Sequence, residues 1–121
     1  MRWSTASAYL RDAMKRPNLT VLSKTMTDRV IFNGTTAQGI EVSDWGNPLQ
    51  KETFYGQEVI LSGGAINSPQ LLQLSGIGNA DELKGLGVEP VVDLKGVGEN
   101  LQDHLELYVQ QESKLPGKYE L

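Results

Sequence analysis

The segment Glu58–Gly78, EVILSGGAINSPQLLQLSGIG, constrains the fold of this chain more than any other. Residues 58–62 form a short apolar run, which is typical of a strand buried in a mixed or parallel sheet. Ser68 and Pro69 suit an N-cap and a first helical position, because the N–H that proline lacks is not needed there. Gly76 is well placed to end the helix in a left-handed conformation. The segment therefore predicts a strand that passes through two glycines into a helix.

This predicted joint has two interpretations. Glycines let the backbone approach a ligand closely, and a helix N-terminus offers free N–H groups and a positive dipole end to an anionic cofactor. The simpler interpretation is a joint whose glycines serve packing, and the residues alone favour it. Gly96–Leu101 begins like a dinucleotide-binding loop but ends in leucine, so the complete G-x-G-x-x-G fingerprint is absent from the sequence.

The remaining segments predict an α/β protein. Asn33-Gly34 is a hairpin signal between two β-prone runs. The other predicted elements are a helix from Ser4 or Thr5 to Pro17, a short β-prone run over 18–23, a strand within 50–57, a helical turn over 80–84, and strands over 90–94 and 105–111.

Composition excludes several function classes. The net charge of −4 and a pI near 4.9 argue against nucleic acid as a partner. The sequence has no cysteine and one histidine, His104, so a metal site or a self-contained catalytic triad is hard to assemble. No apolar run approaches the roughly 20 residues that span a bilayer.

Three ionisable residues lie within four positions, in Asp103-His104-Leu105-Glu106. At strand spacing, His104 and Glu106 share one face, where they could serve acid–base chemistry or hold a cation. Exposed edge residues of a strand are the simpler interpretation of the same pattern.

Several motifs together resemble one family. GGAINSPQLLQLSGIG is similar to the second signature of the glucose-methanol-choline (GMC) family of FAD-dependent oxidoreductases: a small pair, Ser/Thr-Pro, two aliphatic residues and Ser-Gly-aliphatic-Gly. GVGENLQDHLE resembles the family's passage from the flavin domain into the substrate domain, and WSTASAYL and RPNLTVL follow the family order. The likeness runs from Trp3 to about Gln111 and is strongest to the choline-oxidising members, particularly those of animal mitochondria.

This resemblance implies a fold and a domain organisation. Residues 1–100 would be a partial FAD-binding domain of the GMC fold, without its N-terminal dinucleotide loop. Residues 101–121 would connect it to the substrate domain and supply that domain's first strand. The chain would then be an internal fragment, with the family's catalytic histidine downstream of Leu121, so the isolated chain is expected to be inactive.

The resemblance also implies site residues. It places the backbone of Thr27, within a strand pair over 21–31, near the FAD adenine, although the family usually has an aliphatic residue there. Gly63, Gly64 and Ser68 would line the crevice beside the ribityl-pyrophosphate. Glu106 would face the trimethylammonium group of choline, while His104 would be structural and not the catalytic base.

The activity so implied is oxidation of choline to betaine aldehyde, and on to glycine betaine, by hydride transfer to FAD, with a respiratory electron acceptor and a mitochondrial location. Two alternatives stay open: a GMC enzyme for an uncharged alcohol, and a non-catalytic fragment.

Overall fold

An antiparallel sheet in the order β1-β2-β3 forms the centre of the computed structural model, which describes residues 3–112. Its strands are β1 (Thr25–Asn33), β2 (Thr36–Asp44) and β3 (Asn47–Tyr55). The predicted hairpin is confirmed, with Asn33 paired to Thr36. Gly34 turns the chain between them at a φ of 58°, which glycine adopts without strain.

A second tight turn joins β2 to β3. The Oδ1 atom of Asp44 accepts hydrogen bonds from the N–H groups of Gly46, at 2.7 Å, and Asn47, at 3.1 Å. An aspartate that bonds to its own following backbone is a common way to fix such a turn. The strand predicted within 50–57 is confirmed, but it begins earlier, at Asn47.

The other elements confirm the α/β class. A π-helical segment, Ala6–Leu10, continues as α1 (Arg11–Ala13), as predicted for the N-terminal region. The longest helix, α2 (Gly64–Leu74), packs against β1. Next come β4 (Ile77–Gly78), α3 (Ala80–Gly85) and β5 (Val92–Asp93), where β4 and β5 pair in parallel.

The predicted start of α2 is wrong, because the helix begins at Gly64 and holds Pro69 in its interior. The hydroxyl of Ser68 accepts a hydrogen bond from the N–H of Gly63 at 2.9 Å, which ties the preceding loop to the first turns of the helix. Pro69 cannot donate to the carbonyl four residues earlier, so one helical hydrogen bond is given up. A Ser-Pro pair fits a helix start equally well, and the sequence alone therefore misplaces the boundary.

Gly76 ends α2 as predicted, with a φ of 86°. A Cβ atom at this position would lie 2.6 Å from the carbonyl oxygen of Glu89 and 2.9 Å from Cγ2 of Val91. The carbonyl of Gly76 accepts hydrogen bonds from Val91 and Val92, so the chain passes closely over the helix end.

A buried serine connects α2 to the sheet. The hydroxyl oxygen of Ser75 accepts a hydrogen bond from the N–H of Val30 at 2.8 Å, and the hydroxyl donates to the carbonyl of Leu71 at 2.6 Å. Both Ser75 and Val30 are buried. Because a buried N–H without a partner is costly, this serine fixes the position of α2 on β1.

Replacing Ser75 with alanine is expected to destabilise the protein by about 1–3 kcal/mol, since the N–H of Val30 would stay buried without an acceptor. Hydrogen exchange measured by NMR should show faster exchange of the Val30 amide. The exposed Ser23 provides the matched control, and Ser23→Ala should leave that rate unchanged. Equal exchange rates for Val30 in both variants would contradict the assigned role.

Two of the predicted strands are wrong, and the β-prone run over 18–23 also remains outside the sheet. Residues 58–62 do not form a strand, and the side chain of Ile60 is 79% exposed. Residues 105–111 also lie outside any strand, with Leu105 fully exposed. Both runs have the composition of strands, but a strand also needs a neighbour to pair with. Within residues 3–112, the β1-β2-β3 sheet gives neither run such a neighbour.

The chain exposes an unusually large surface. Its accessible area is 11190 Å², whereas a folded monomer of 13.3 kDa exposes about 6500 Å². Large apolar side chains contribute to this surface, among them Tyr9, Ile60, Ile66 and Leu74. An apolar surface of this extent is typical of a segment that packs against further protein.

Candidate functional site

A cleft of about 910 Å³ lies between the sheet and α2. Its walls come from all three strands of the sheet, from the extended segment 56–62 and from residues 67–74 of α2. Small-molecule sites in proteins commonly have volumes of about 300–1000 Å³ and mostly apolar walls with a few polar groups. The cleft has both properties and is the candidate functional site.

Three of the predicted cofactor-binding residues line this cleft. Thr27 comes from β1, whereas Gly63 and Ser68 come from the start of α2, so residues about 40 positions apart meet at one site. Gly64 is the first residue of α2 and has a φ of 87°. A Cβ atom on Gly64 would meet nothing within 4 Å, so its backbone borders open space.

Gly63 serves the packing of the helix as well as the cleft. A Cβ atom at this position would lie 3.1 Å from Cβ of Asn67 and 3.2 Å from the backbone nitrogen of Ser68. These contacts are tighter than side chains normally tolerate. The packing interpretation is therefore confirmed for Gly63, and Gly64 allows the left-handed turn, while the approach of a ligand to this pair stays a prediction.

A network of charges crosses the sheet next to the cleft. Glu41 accepts hydrogen bonds from Arg29 at 3.1 Å and from Lys51 at 3.0 Å. These two bonds lower the pKa of Glu41 below its ordinary value of 4.5. The same carboxylate raises the pKa of Lys51. The network joins the three strands at one place, and Lys51 extends it to the cleft wall.

The lowered pKa of Glu41 predicts a loss of stability in acid. The contribution of this group is fully present above pH 4.5 and is lost as the pH falls through the lower pKa of the folded state. In Glu41→Gln this contribution is absent, so the free energy of unfolding should fall less between about pH 5 and pH 3. Denaturation followed at several pH values measures the difference, and parallel curves for the two proteins would contradict it.

Sequence reasoning missed Asp28, which lines the cleft beside Thr27. Asp28 lies at an irregularity in the pairing of β1 with β2, between the pairs formed by Thr27 and Arg29. Thr27 and Asp28 are both half-buried, although alternation would place them on opposite faces. A charged residue inside a β-prone run was the only signal in the sequence.

The aromatic residues Phe54 and Tyr55 were also missed. They end β3 and line the cleft, as does the extended segment 56–62 that directly follows them. Their place in the polar run over 50–57 gave no indication of this role.

Glu106 and His104 lie on the exposed segment that follows the last strand and are not among the residues that line the cleft. The hydroxyl of Tyr108 donates a hydrogen bond to Oε2 of Glu106, and this bond raises the pKa of Tyr108. The N–H of His104 donates to the Oδ1 atom of Asp103 at 2.8 Å. The structure thus pairs Glu106 with an aromatic neighbour and does not bring it to the predicted cofactor residues.

None of the helices in residues 3–112 has the length and apolar character that crossing a membrane would require.

Sequence comparison connects the chain with known proteins. The family model described as GMC oxidoreductase matches residues 1–106. Mitochondrial choline dehydrogenase of Homo sapiens is 56% identical over 115 residues, which cover 95% of this chain and 19% of that protein. Oxygen-dependent choline dehydrogenase of Escherichia coli O139:H28 is 49% identical over 115 residues, covering 95% of this chain and 21% of that protein. The chain spans about a fifth of the length of these curated relatives.

Solved structures with the same fold agree with this result. An FAD-dependent oxidoreductase from Chaetomium thermophilum superposes with a TM-score of 0.73 and 33% identity, covering 82% of this chain and 17% of that one. Pyridoxine 4-oxidase from Mesorbium loti gives a TM-score of 0.68 and 32% identity, covering 76% and 18%. The sequence motifs, the family model and the fold lead to one conclusion, which is that the chain belongs to the GMC oxidoreductase family.

Proposed function

We propose that this chain is part of an FAD-dependent choline dehydrogenase. The observation that carries the proposal is the identity of 49–56% to choline dehydrogenases of mammals and bacteria, which extends over 95% of the chain. The whole activity is proposed for a protein of the family's full length, because the chain spans about a fifth of these relatives.

The cleft is proposed to hold part of the FAD. The aromatic side chains of Phe54 and Tyr55 and the apolar side chain of Leu61 suit a flat ring system. Asp28 adds a carboxylate to the cleft wall, and its Oδ2 atom lies 3.6 Å from the ammonium group of Lys51. When bound, FAD supplies the redox chemistry by accepting a hydride from the alcohol carbon.

The residues predicted from the family resemblance have distinct proposed roles. The backbone of Thr27 borders the adenine, and the backbones of Gly63 and Gly64 border the ribityl-pyrophosphate, where a side chain would occupy space. Ser68 holds the loop before α2 through its hydrogen bond from Gly63. Thr27, Gly63 and Ser68 line one cleft, which supports their roles, and Gly64 directly follows Gly63 at the start of α2.

The proposed domain organisation assigns residues 1–100 to the FAD-binding domain and residues 101–121 to the connection into the substrate domain. The change from paired elements to an exposed, extended segment beyond about residue 100 supports this boundary. Part of the proposed connection, residues 113–121, lies outside the described residues.

Glu106 is proposed to recognise the substrate. The trimethylammonium group of choline is a cation that cannot donate a hydrogen bond, so a carboxylate and aromatic faces are the groups that suit it. The neighbouring Tyr108 supplies such a ring and, through its hydroxyl, holds the Glu106 carboxylate.

The location and the pathway are also part of the proposal. The product would be betaine aldehyde, oxidised further to glycine betaine, with electrons passing to a respiratory acceptor in mitochondria. Identities of 56% and 55% to the human and mouse mitochondrial enzymes, against 49–51% to the bacterial ones, support the mitochondrial assignment.

A chimera tests the proposed function. The 115 aligned residues of this chain replace their counterparts in human choline dehydrogenase, and the purified protein is examined for bound FAD and for dye reduction with choline. The chimera should bind FAD and oxidise choline in clear preference to the uncharged isostere in which carbon replaces the ammonium nitrogen.

Two results would contradict the proposal. A folded chimera without FAD would exclude the cofactor role of the cleft. Equal turnover of choline and its isostere would instead favour a GMC enzyme for uncharged alcohols.

A further inference from the structure

The turn between β1 and β2 carries two groups that can react with each other. Asn33 is exposed, and the residue that follows it is Gly34. Among residues 3–112, the N–H of Gly34 donates no hydrogen bond, and the side-chain amide of Asn33 makes none either. A Cβ atom on Gly34 would meet nothing within 4 Å, so this part of the turn borders open space. Both groups are therefore accessible to each other and to water.

The reaction open to this pair is ring closure. The Gly34 nitrogen attacks Cγ of the Asn33 side chain, so that an N–Cγ bond forms and the Cγ–Nδ2 bond breaks. The amide nitrogen leaves as ammonia and takes the proton of the Gly34 N–H with it. Water then opens the cyclic imide at either carbonyl carbon. The products are aspartate and isoaspartate, in which the main chain runs through the side-chain carbonyl, and no electrons are transferred.

The position of the pair in the hairpin favours this attack. Gly34 has no side chain to crowd its nitrogen, and its backbone can rotate toward the reacting carbon. The pair formed by Asn33 and Thr36 is the last one of the β1-β2 ladder at this end. The end of an element opens at a small cost in free energy, so the turn can rearrange while the rest of the sheet stays paired.

Asn79 shows the opposite arrangement. Its side chain donates a hydrogen bond to Glu82 at 2.9 Å and accepts one from the N–H of Asp81 at 3.2 Å. The N–H of the following residue, Ala80, donates to Oδ1 of Asp93 at 3.0 Å. The amide and the potential attacking nitrogen are therefore both held by other partners.

The remaining asparagines are protected for other reasons. Asn47 precedes Pro48, which has no N–H to lose. Asn67 lies inside α2, which fixes its backbone in the helical conformation. Asn18 and Asn100 are each followed by a leucine, whose branched side chain crowds the attacking nitrogen.

We propose that Asn33 is a site of spontaneous deamidation in the folded protein, where Gly34 closes the ring and water yields aspartate and isoaspartate. The inference does not depend on the proposed function, because it rests on this turn alone. Either product adds a negative charge to a chain whose net charge is −4. Isoaspartate also lengthens the main chain by a methylene group at the pair with Thr36, so the end of the hairpin loses its present register.

The first experiment follows the asparagines of this chain in the chimera. The folded protein is incubated at mildly alkaline pH and digested, and mass spectrometry measures the conversion of amide to acid at each position. Asn33 should convert about tenfold faster than Asn79 or more, because the hydrogen bonds of Asn79 must first break. Aspartate and isoaspartate should both appear at position 33, whereas direct hydrolysis of the amide gives aspartate alone.

The second experiment tests the role of the glycine. Gly34→Ala should slow the conversion of Asn33 roughly tenfold, because the new side chain crowds the nitrogen and is strained at a φ of 58°. Gly85→Ala is the matched control, since a Cβ atom there also meets nothing within 4 Å, and it should leave the rate unchanged.

A third variant separates reaction in the folded state from reaction after unfolding. Leu83 is buried in α3, outside the hairpin, so Leu83→Ala lowers stability without touching the turn. Its rate of conversion at Asn33 should equal that of the parent while circular dichroism shows that the variant is folded. A rate that rises with the loss of stability would overturn the proposal, because the reaction would then need unfolding. Equal rates at Asn33 and Asn79, or aspartate alone at position 33, would also overturn it.

Discussion

Replacing Gly76 with alanine is expected to destabilise the protein by about 3 kcal/mol or more. Two causes add. An L-residue at a φ of 86° is strained, and the new Cβ atom would lie 2.6 Å from the carbonyl oxygen of Glu89. That carbonyl belongs to the backbone, so it cannot move aside as a flexible side chain would. Urea denaturation of the chimera, followed by circular dichroism, measures the effect.

Gly85→Ala provides the matched control. A Cβ atom at Gly85, the last residue of α3, meets nothing within 4 Å, and alanine is the better helix former. This variant should be as stable as the parent or slightly more stable. A Gly76→Ala protein whose denaturation midpoint matches that of Gly85→Ala would show that the end of α2 does not have the described backbone conformation.

Replacing Glu106 with glutamine should lower kcat/KM for choline roughly 30- to 700-fold. This factor corresponds to a loss of about 2–4 kcal/mol in transition-state stabilisation. Glutamine preserves the size of the side chain but removes the charge that would face the trimethylammonium group. The uncharged isostere has no cation to lose, so its kcat/KM should change little. Steady-state kinetics of the chimera with both alcohols measure the difference.

Glu112→Gln is the control for Glu106→Gln, since it removes the same charge from the same exposed segment. It should leave the choline preference unchanged. If Glu106→Gln lowered the rates with both alcohols equally, the glutamate would have a structural role and would not recognise the cation.

Local signals predicted the local parts of the fold. The β1-β2 hairpin and the end of α2 at Gly76 follow from glycines whose conformations are required where they lie. The start of α2 was predicted wrongly because Ser68-Pro69 suits two helical positions, and only the bond from the Gly63 N–H distinguishes them. The strands predicted over 58–62 and 105–111 are wrong, because the composition of a segment does not show whether another strand lies beside it to form hydrogen bonds.

The candidate site shows a different limit. The residues alone favoured a plain joint at Gly63 and Gly64, and the family resemblance was needed to connect them with Thr27, more than 30 positions earlier. Asp28 was missed because the irregular pairing of β1 with β2 changes which residues share a face, and the sequence pattern assumes strict alternation. The role of Glu106 in recognising the substrate stays a prediction.

The segment 58–62 affects how the protein behaves in solution. The side chain of Ile60 is 79% exposed, and this segment pairs with no strand of the described residues, so another extended chain can join it, which is how ordered aggregates begin. A net charge of −4 gives only modest repulsion between copies, and salt screens it further. Self-association of this polypeptide should therefore increase steeply with its concentration. A newly made copy either associates with another copy or binds the protein surface that fits this segment.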